Sequence, residues 1–260
     1  MEPLSTPAVL VFEHAPSEGP GLIGAALRRR GIAVRKVRGF AGEPIPQTLA
    51  ETDGLVFMGG PMNVDEEGRF PFLRAEKRLL ELALAARLPV LGVCLGSQLL
   101  AQVLGAKVSR GRRLEVGWLP LRLLGAAATD PLLGGAEQQP VVFHWHGDRF
   151  DCPHGAVPLA RSALTACQAF RYGAAHGLLF HMEVTPCAVE AMASAFPGDL
   201  AAAGLSRQSL AIQTRTHASA LGRMARVAFS RWAARVRWDE HLLERAAPAG
   251  REPIAPKPEE

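Results

Sequence analysis

The stretch that most restricts what this chain can fold into is Leu88 to Leu100, Leu-Pro-Val-Leu-Gly-Val-Cys-Leu-Gly-Ser-Gln-Leu-Leu. Val90 to Val93 is a short apolar run with the character of a buried strand, and the apolar-periodic segment Ser97 to Leu104 reads as a helix. Gly92 and Gly96 stand two residues either side of Cys94. The pattern is that of a nucleophile elbow, a strand-to-helix turn that lifts one side chain clear of the backbone. The two glycines are expected to give the turn its freedom and to keep any Cβ out of the path of a substrate carbonyl. The helix N-terminus is expected to favour the thiolate of Cys94. A buried structural cysteine is the plainer alternative, since free cysteine is often buried.

The flanking chain supplies a matching scaffold. Ala8 to Phe12 reads as a strand, Gly21 to Arg30 as a helix and Ile32 to Val37 as a second strand, a βαβ opening. Gly54 to Met58 is a third strand running into Gly59-Gly60-Pro61-Met62, and Pro71 to Ala86 is a helix leading to the strand before Cys94. Strands alternating with helices predict an α/β fold, a mostly parallel sheet with helices on both faces and its ligand site at the carboxyl ends of the strands. From Ala106 the pattern changes to short strands, at Ala106 to Ser109, Val116 to Leu123, Val141 to His144, Val157 to Arg161, Ala169 to Tyr172 and Gly177 to Phe180, which read as antiparallel additions. Gly125 to Gly135 is a loop or short helix without an evident function. Thr185 caps a helix to Phe196 with Pro186 in its first turn, and a longer helix covers Ser206 to Val236 with Leu221, Ala225, Ala228, Trp232 and Val236 on one face.

Composition narrows the class. With 48% hydrophobic and 21% charged residues over 260 positions, the chain has the makings of one large globular core. Its four cysteines, Cys94, Cys152, Cys167 and Cys187, show neither C-x-x-C spacing nor the density of a disulfide scaffold, which points to a reducing, cytoplasmic setting. Met1-Glu2-Pro3 lacks the basic start of a secretory signal and the apolar runs are too short to span a bilayer, so no membrane association is expected.

A thiol hydrolase needs a base for the thiol proton and a third group to orient that base. Of eight histidines, His181 is the best placed, after an apolar strand and before a helix. If that strand continues through Glu183, the two side chains share a face and the carboxylate fixes the imidazole tautomer. Cys94, His181 and Glu183 form the candidate catalytic set. The amides of Leu95 and Gly60 are the candidate oxyanion donors.

Six segments occur in the order and approximate spacing of class I, triad-type glutamine amidotransferase domains. They are Gly59 to Met62, Gly92 to Gln98, Glu115 to Trp118, His144 to Asp148, Gln168 to Gly173 and Phe180 to Thr185. The chain resembles in particular stand-alone proteins that look like the amidotransferase half of GMP synthase. The resemblance implies a flavodoxin-like domain over 1–196; beyond it the residues themselves read as a helical extension over 197–246 packed on that domain and, with four prolines and both charge signs, a disordered tail over 247–260. It implies hydrolysis of the side-chain amide of glutamine, or of a γ-glutamyl amide, through a Cys94 γ-glutamyl thioester. Gln98 and the backbone near Trp145 and His146 would hold the amino-acid head group, no cofactor would be needed, and a separate synthetase subunit would receive the ammonia. Met182 stands where the family commonly has proline, and Leu179 where it commonly has glutamine; neither change removes a catalytic group.

Other readings stay open. A stand-alone γ-glutamyl peptide hydrolase, a redox-sensing thiol protein and a non-catalytic binding protein on the same fold are each compatible with the sequence. His144-x-His146-x-Asp148 has the alternation of a metal cluster, although no second ligand set accompanies it and no metal is expected. Between Asp199 and Asp239 lie seven arginines and no acidic residue, either a solvated face or a surface for an acidic partner, with nucleic acid not favoured. Oligomeric state is not legible.

Overall fold

The computed structural model describes residues 6–236. The first strand, β1 (Ala8–Glu13), is buried along its whole length, and its alternate side chains enter different cores. Val9 and Val11 belong to one hydrophobic cluster, Leu10 and Phe12 to the other. A strand buried on both faces needs helices on both sides. Helix α1 (Gly21–Arg29) covers the first face, and α2 (Phe72–Ala85) and α3 (Leu95–Val103) cover the second.

With β2 (Ala33–Arg38), β3 (Gly54–Phe57) and β4 (Val90–Val93), β1 forms a parallel sheet in the spatial order β2-β1-β3-β4. The fifth parallel strand, β10 (Ala175–Leu178), pairs with β4. The antiparallel strands β9 (Ala169–Tyr172), β8 (Val157–Arg161) and the two-residue β6 (Arg122–Leu123) continue the sheet beyond it. The expected flavodoxin-like α/β class with antiparallel additions is therefore the observed one.

Two of the expected short strands merge with their surroundings. Residues 106–109 and 116–123 contribute mainly to one long strand, β5 (Val108–Pro120), whose register breaks between Arg110 and Glu115. It pairs with β7 (Val141–Phe150), also longer than its apolar run, in a separate two-stranded ribbon. Helix α4 (Pro186–Ala195) begins as expected, with the Thr185 hydroxyl accepting from the Ala188 amide. A short helix, α5 (Pro197–Ala202), was not anticipated.

Helix α6 (Arg207–Ala233) buries Leu221, Ala225, Ala228 and Trp232 in the same cluster as β1, and Val236 beyond its end joins them. Arg207, Arg215, Arg223, Arg226 and Arg231 face solvent. No helix among the described residues is long and apolar enough to cross a membrane. Arg237, residues 237–246 of the expected extension and the expected tail at 247–260 lie outside the described residues.

The segment 125–135, which carried no function in the sequence, holds the antiparallel edge in place. Asp130 is buried, its Oδ1 accepts from the Leu132 and Leu133 amides at 2.9 and 3.1 Å, and its Oδ2 accepts from Arg171 Nε at 3.0 Å. His176 Nε2 lies 3.3 Å away. Burial disfavours the charge, but His176 and the two amides outweigh it and hold the carboxyl at about 2. A depressed carboxyl pKa stabilises the folded state above the unfolded value, and the contribution fades as pH falls through the folded one. Asp130→Asn is expected to cost about 2 kcal/mol at neutral pH. In urea titrations its deficit against wild type should shrink on acidification from about pH 4 to pH 2; a pH-independent deficit would remove the charge from the account.

Candidate active site

Cys94 sits between β4 and α3 with φ 49° and ψ −110°, a positive-φ conformation that non-glycine residues rarely adopt. Its amide donates to the Leu178 carbonyl of β10 at 2.8 Å. Its carbonyl receives the amides of Ser97 and Gln98 at 3.0 and 3.1 Å and the Ser97 hydroxyl at 2.6 Å. The helix thus starts at Leu95, two residues before its apolar pattern becomes readable.

The flanking glycines serve packing rather than freedom, a correction to the sequence reading. Neither has positive φ. A Cβ on Gly92 would lie 2.5 Å from the Gly96 carbonyl oxygen, and one on Gly96 would overlap the Phe57 carbonyl. They let α3 lie directly on β3 and β4, and the strain of the turn falls on Cys94 itself.

His181 and Glu183 meet, though not as alternate residues of a strand. β10 ends at Leu178, so Phe180 falls outside it, and His181 makes an isolated bridge to Phe143, its amide donating to the Phe143 carbonyl at 2.8 Å. The Glu183 carbonyl is held by the Leu22 amide at the start of α1, at 2.9 Å. With both backbones anchored, His181 Nδ1 donates to Glu183 Oε1 at 2.7 Å, in a setting where both side chains are buried. Burial opposes charge on the imidazole, but the Glu183 carboxylate and the Cys94 sulfur outweigh it and hold His181 well above its ordinary range.

The thiol itself departs from expectation. Burial pushes Cys94 up, against the pull of His181 and of the Leu95 amide beside the sulfur. The helix N-terminus alone therefore does not make the thiolate the favoured form. The Cys94 thiol donates to the Trp145 carbonyl at 3.6 Å, and His181 Nε2 has no hydrogen-bond partner among the described residues.

Cys94 opens into a cleft of about 340 Å³ that also exposes Gly60, Gln98, Trp145 and His146. His181 and Glu183 lie behind it, and the Leu95 and Gly60 amides donate to no other backbone carbonyl among the described residues. The His146 ring is not free to serve the cleft: Nδ1 donates to the Asp148 carbonyl at 3.1 Å and Nε2 faces Gln168 Nε2 at 3.2 Å. Burial pulls its pKa down to about 4, so the bare Nε2 accepts from Gln168.

Glu115, His144 and His146 bring three potential metal-ligand atoms within 4.8 Å of one another, without Asp148. Glu115 Oε2, however, already accepts from the Thr165 hydroxyl at 2.5 Å and from Gln168 at 3.0 Å. Glu115 and His146 are thus engaged in hydrogen bonds that brace the wall of the cleft, whereas neither ring nitrogen of His144 has a partner among the described residues.

Two acidic residues of the cleft escaped the sequence reading. Glu18 follows β1, is buried, and lies against Gly59 and His181; burial raises its carboxyl pKa. The rule that ligand sites gather at the carboxyl ends of parallel strands would have flagged it, as it flagged Gly60 and Cys94. Asp199, from the unanticipated α5, also lines the cleft and accepts from Trp145 Nε1 at 2.9 Å. No local pattern announces it.

A family model for class I glutamine amidotransferases matches residues 22–192. The glutamine amidotransferase-like protein YfeJ of Salmonella typhimurium is 36% identical over 183 residues, 69% of this chain and 77% of that protein. One subunit of the glutamine-hydrolysing GMP synthase of Haloquadratum walsbyi is 34% identical over 163 residues, 61% of this chain and 80% of that one. The crystal structure of a glutamine amidotransferase from Methylobacillus flagellatus aligns with a TM-score of 0.84 at 29% identity, covering 91% of this chain and 98% of that one.

The strain at Cys94 is measurable without turnover. Cys94→Gly is expected to be more stable than Cys94→Ala by about 1 kcal/mol, the reverse of the usual order, because only glycine relaxes at this φ. Equal urea midpoints for the two variants would show that the turn stores no strain at this residue.

Proposed function

Because the chain belongs to the class I glutamine amidotransferase family, we propose that it hydrolyses the side-chain amide of glutamine at Cys94, with His181 as acid and base and Glu183 as the group that orients it. The observation that carries the reading is the buried 2.7 Å contact of His181 Nδ1 with Glu183, which leaves Nε2 to the neighbouring thiol on its strained turn.

The proton of Cys94 passes to His181 Nε2 as the sulfur attacks the δ-carbon of glutamine. The oxyanion that forms is met by the amides of Leu95 and Gly60, which have no competing backbone acceptor among the described residues. The C–N bond then breaks, His181 delivers its proton to the leaving nitrogen, and ammonia departs from a γ-glutamyl thioester. Water attacks the thioester, gives its proton to His181, and collapse returns glutamate and the thiol. Gln98 and the Trp145–His146 backbone hold the amino-acid end of the substrate, as their positions in the cleft suggest.

Burial alone would keep the thiol protonated, so the charge of Glu183 is what makes His181 basic enough to take its proton. The relative from Haloquadratum is by its name one part of a GMP synthase. By analogy, the ammonia acceptor of this chain belongs to a separate synthetase subunit.

Glutamate release from glutamine by the purified chain, with and without candidate partners, tests the reading. Cys94→Ser is expected to abolish turnover. Glu183→Gln is expected to lower kcat by about 10²-fold or more and to slow alkylation of Cys94 by iodoacetamide at neutral pH. Turnover that survives Cys94→Ser would refute the mechanism. A Cys94-dependent preference for γ-glutamyl peptides over glutamine would make the chain an independent hydrolase instead.

A further inference from the structure

The peptide between Gly59 and Gly60 supplies an N–H to the cleft, yet neither residue has a side chain to fix its plane. Space forbids one. A Cβ on Gly59 would overlap Glu18 Oε2, and one on Gly60 would lie 2.5 Å from the Cβ of His14. A glycine pair is conformationally permissive, so this peptide resists rotation only through the hydrogen bonds made to it.

Among the described residues one such bond is made, to the Gly59 carbonyl, and it comes from a side chain. His14, just beyond β1, lies with Nδ1 3.0 Å from the Met58 carbonyl and 3.2 Å from the Gly59 carbonyl. Its Nε2 donates to Glu76 Oε2 of α2 at 2.8 Å, and neither side chain reaches solvent. The Phe72 ring stacks on the imidazole at 6.0 Å.

In a trans peptide the carbonyl and the next N–H point in opposite directions. Capture of the Gly59 carbonyl by His14 therefore turns the Gly60 N–H away from His14, toward the cleft that Gly60 shares with Cys94. The Met58 carbonyl also accepts the Gly96 amide at 3.1 Å, so one oxygen references the glycine loop to the first turn of α3. A buried ion pair is weak as a stabiliser, because desolvation offsets its attraction. What apolar residues of equal volume could not supply here is a donor in a fixed direction.

We infer that His14, held by Glu76, is a positioning residue that locks the Gly59–Gly60 peptide with its N–H facing the reacting carbonyl. The inference rests on the hydrolytic role proposed for Cys94. Burial opposes charge on the imidazole, but Glu76 and the Gly59 carbonyl, with a smaller pull from Glu18, outweigh it and raise His14 above its ordinary range, in keeping with a ring that donates from both nitrogens.

The test uses the full-length protein. His14→Leu removes the donors at similar volume, and kcat for amide hydrolysis is expected to fall about 10²- to 10³-fold, the loss typical of one oxyanion donor, with little change in KM. Iodoacetamide alkylation of Cys94, which needs no oxyanion donor, should keep its wild-type rate. His14→Asn, whose amide nitrogen can reach the same carbonyls, should recover at least about tenfold of the lost kcat. Crystal structures of wild type and His14→Leu should differ in the plane of the Gly59–Gly60 peptide.

Retained kcat in folded His14→Leu, equal losses in alkylation and hydrolysis, or no recovery in His14→Asn would overturn the assignment. If His14→Leu does not fold, Glu76→Gln takes its place, with the same expected split between kcat and alkylation. If wild type hydrolyses no amide, the role of Cys94 fails on its own, and the peptide plane in the two structures still decides whether His14 is a lock.

Discussion

The close approach of α3 to β3 and β4 is the contact on which the site depends. Gly92 and Gly96 remove the side chains that would hold the helix off the sheet, and the chain then has only one residue in which to turn from strand to helix. That residue, Cys94, takes the unfavourable backbone conformation, and the surrounding buried strands and helix hold it there. Strain at such a position persists only where the rest of the fold over-determines it. Here both cores meet the requirement: Leu95, Leu99 and Leu100 lock the helix on one face of the sheet, and Leu91 and Val93 lock the strand on the other.

The polar groups around Cys94 follow a consistent division. The side chains proposed to carry and to orient the proton transfer are anchored by backbone bonds to two different elements, His181 to β7 and Glu183 to the start of α1. Side chains that build the walls are tied to one another, as in the Glu115, Gln168 and His146 network. Apolar residues of similar volume would often serve stability as well in such positions, since desolvation offsets most of what a buried polar network gains. The hydrogen bonds within such a network add direction, and a reaction that depends on donor placement depends on direction.

Much of this was legible before any coordinates. Cys94 could be read because a strand, a glycine pair and a helix are contiguous, and His181 with Glu183 because a short spacing links them. The fold class followed from the alternation of strands and helices, and its parity is visible in β1 itself. What could not be read depends on contacts distant in sequence. His181 and Glu183 meet through anchors on Phe143 and Leu22, not through strand alternation, and the thiol is governed by burial that no local pattern reports. Glu18 needed the topology, and Asp199 needed a helix too short to show periodicity. The glycines were assigned correctly but for the wrong reason, because a clash with Phe57 is invisible from a neighbouring position.

The position of β10 bears on how the molecule comes into being. It is made after β4 and well after Cys94, yet it lies beside β4 and accepts the Cys94 amide through Leu178. A nascent chain that emerges N-terminus first therefore carries the thiol on an unpaired sheet edge, with its histidine still to be translated. Insertion of one four-residue strand closes that edge and, three residues later in the chain, brings in His181. The strand that seals the sheet and the histidine beside the thiol are thus neighbours in the order of synthesis, and the proposed set of Cys94, His181 and Glu183 is incomplete until that strand has been made.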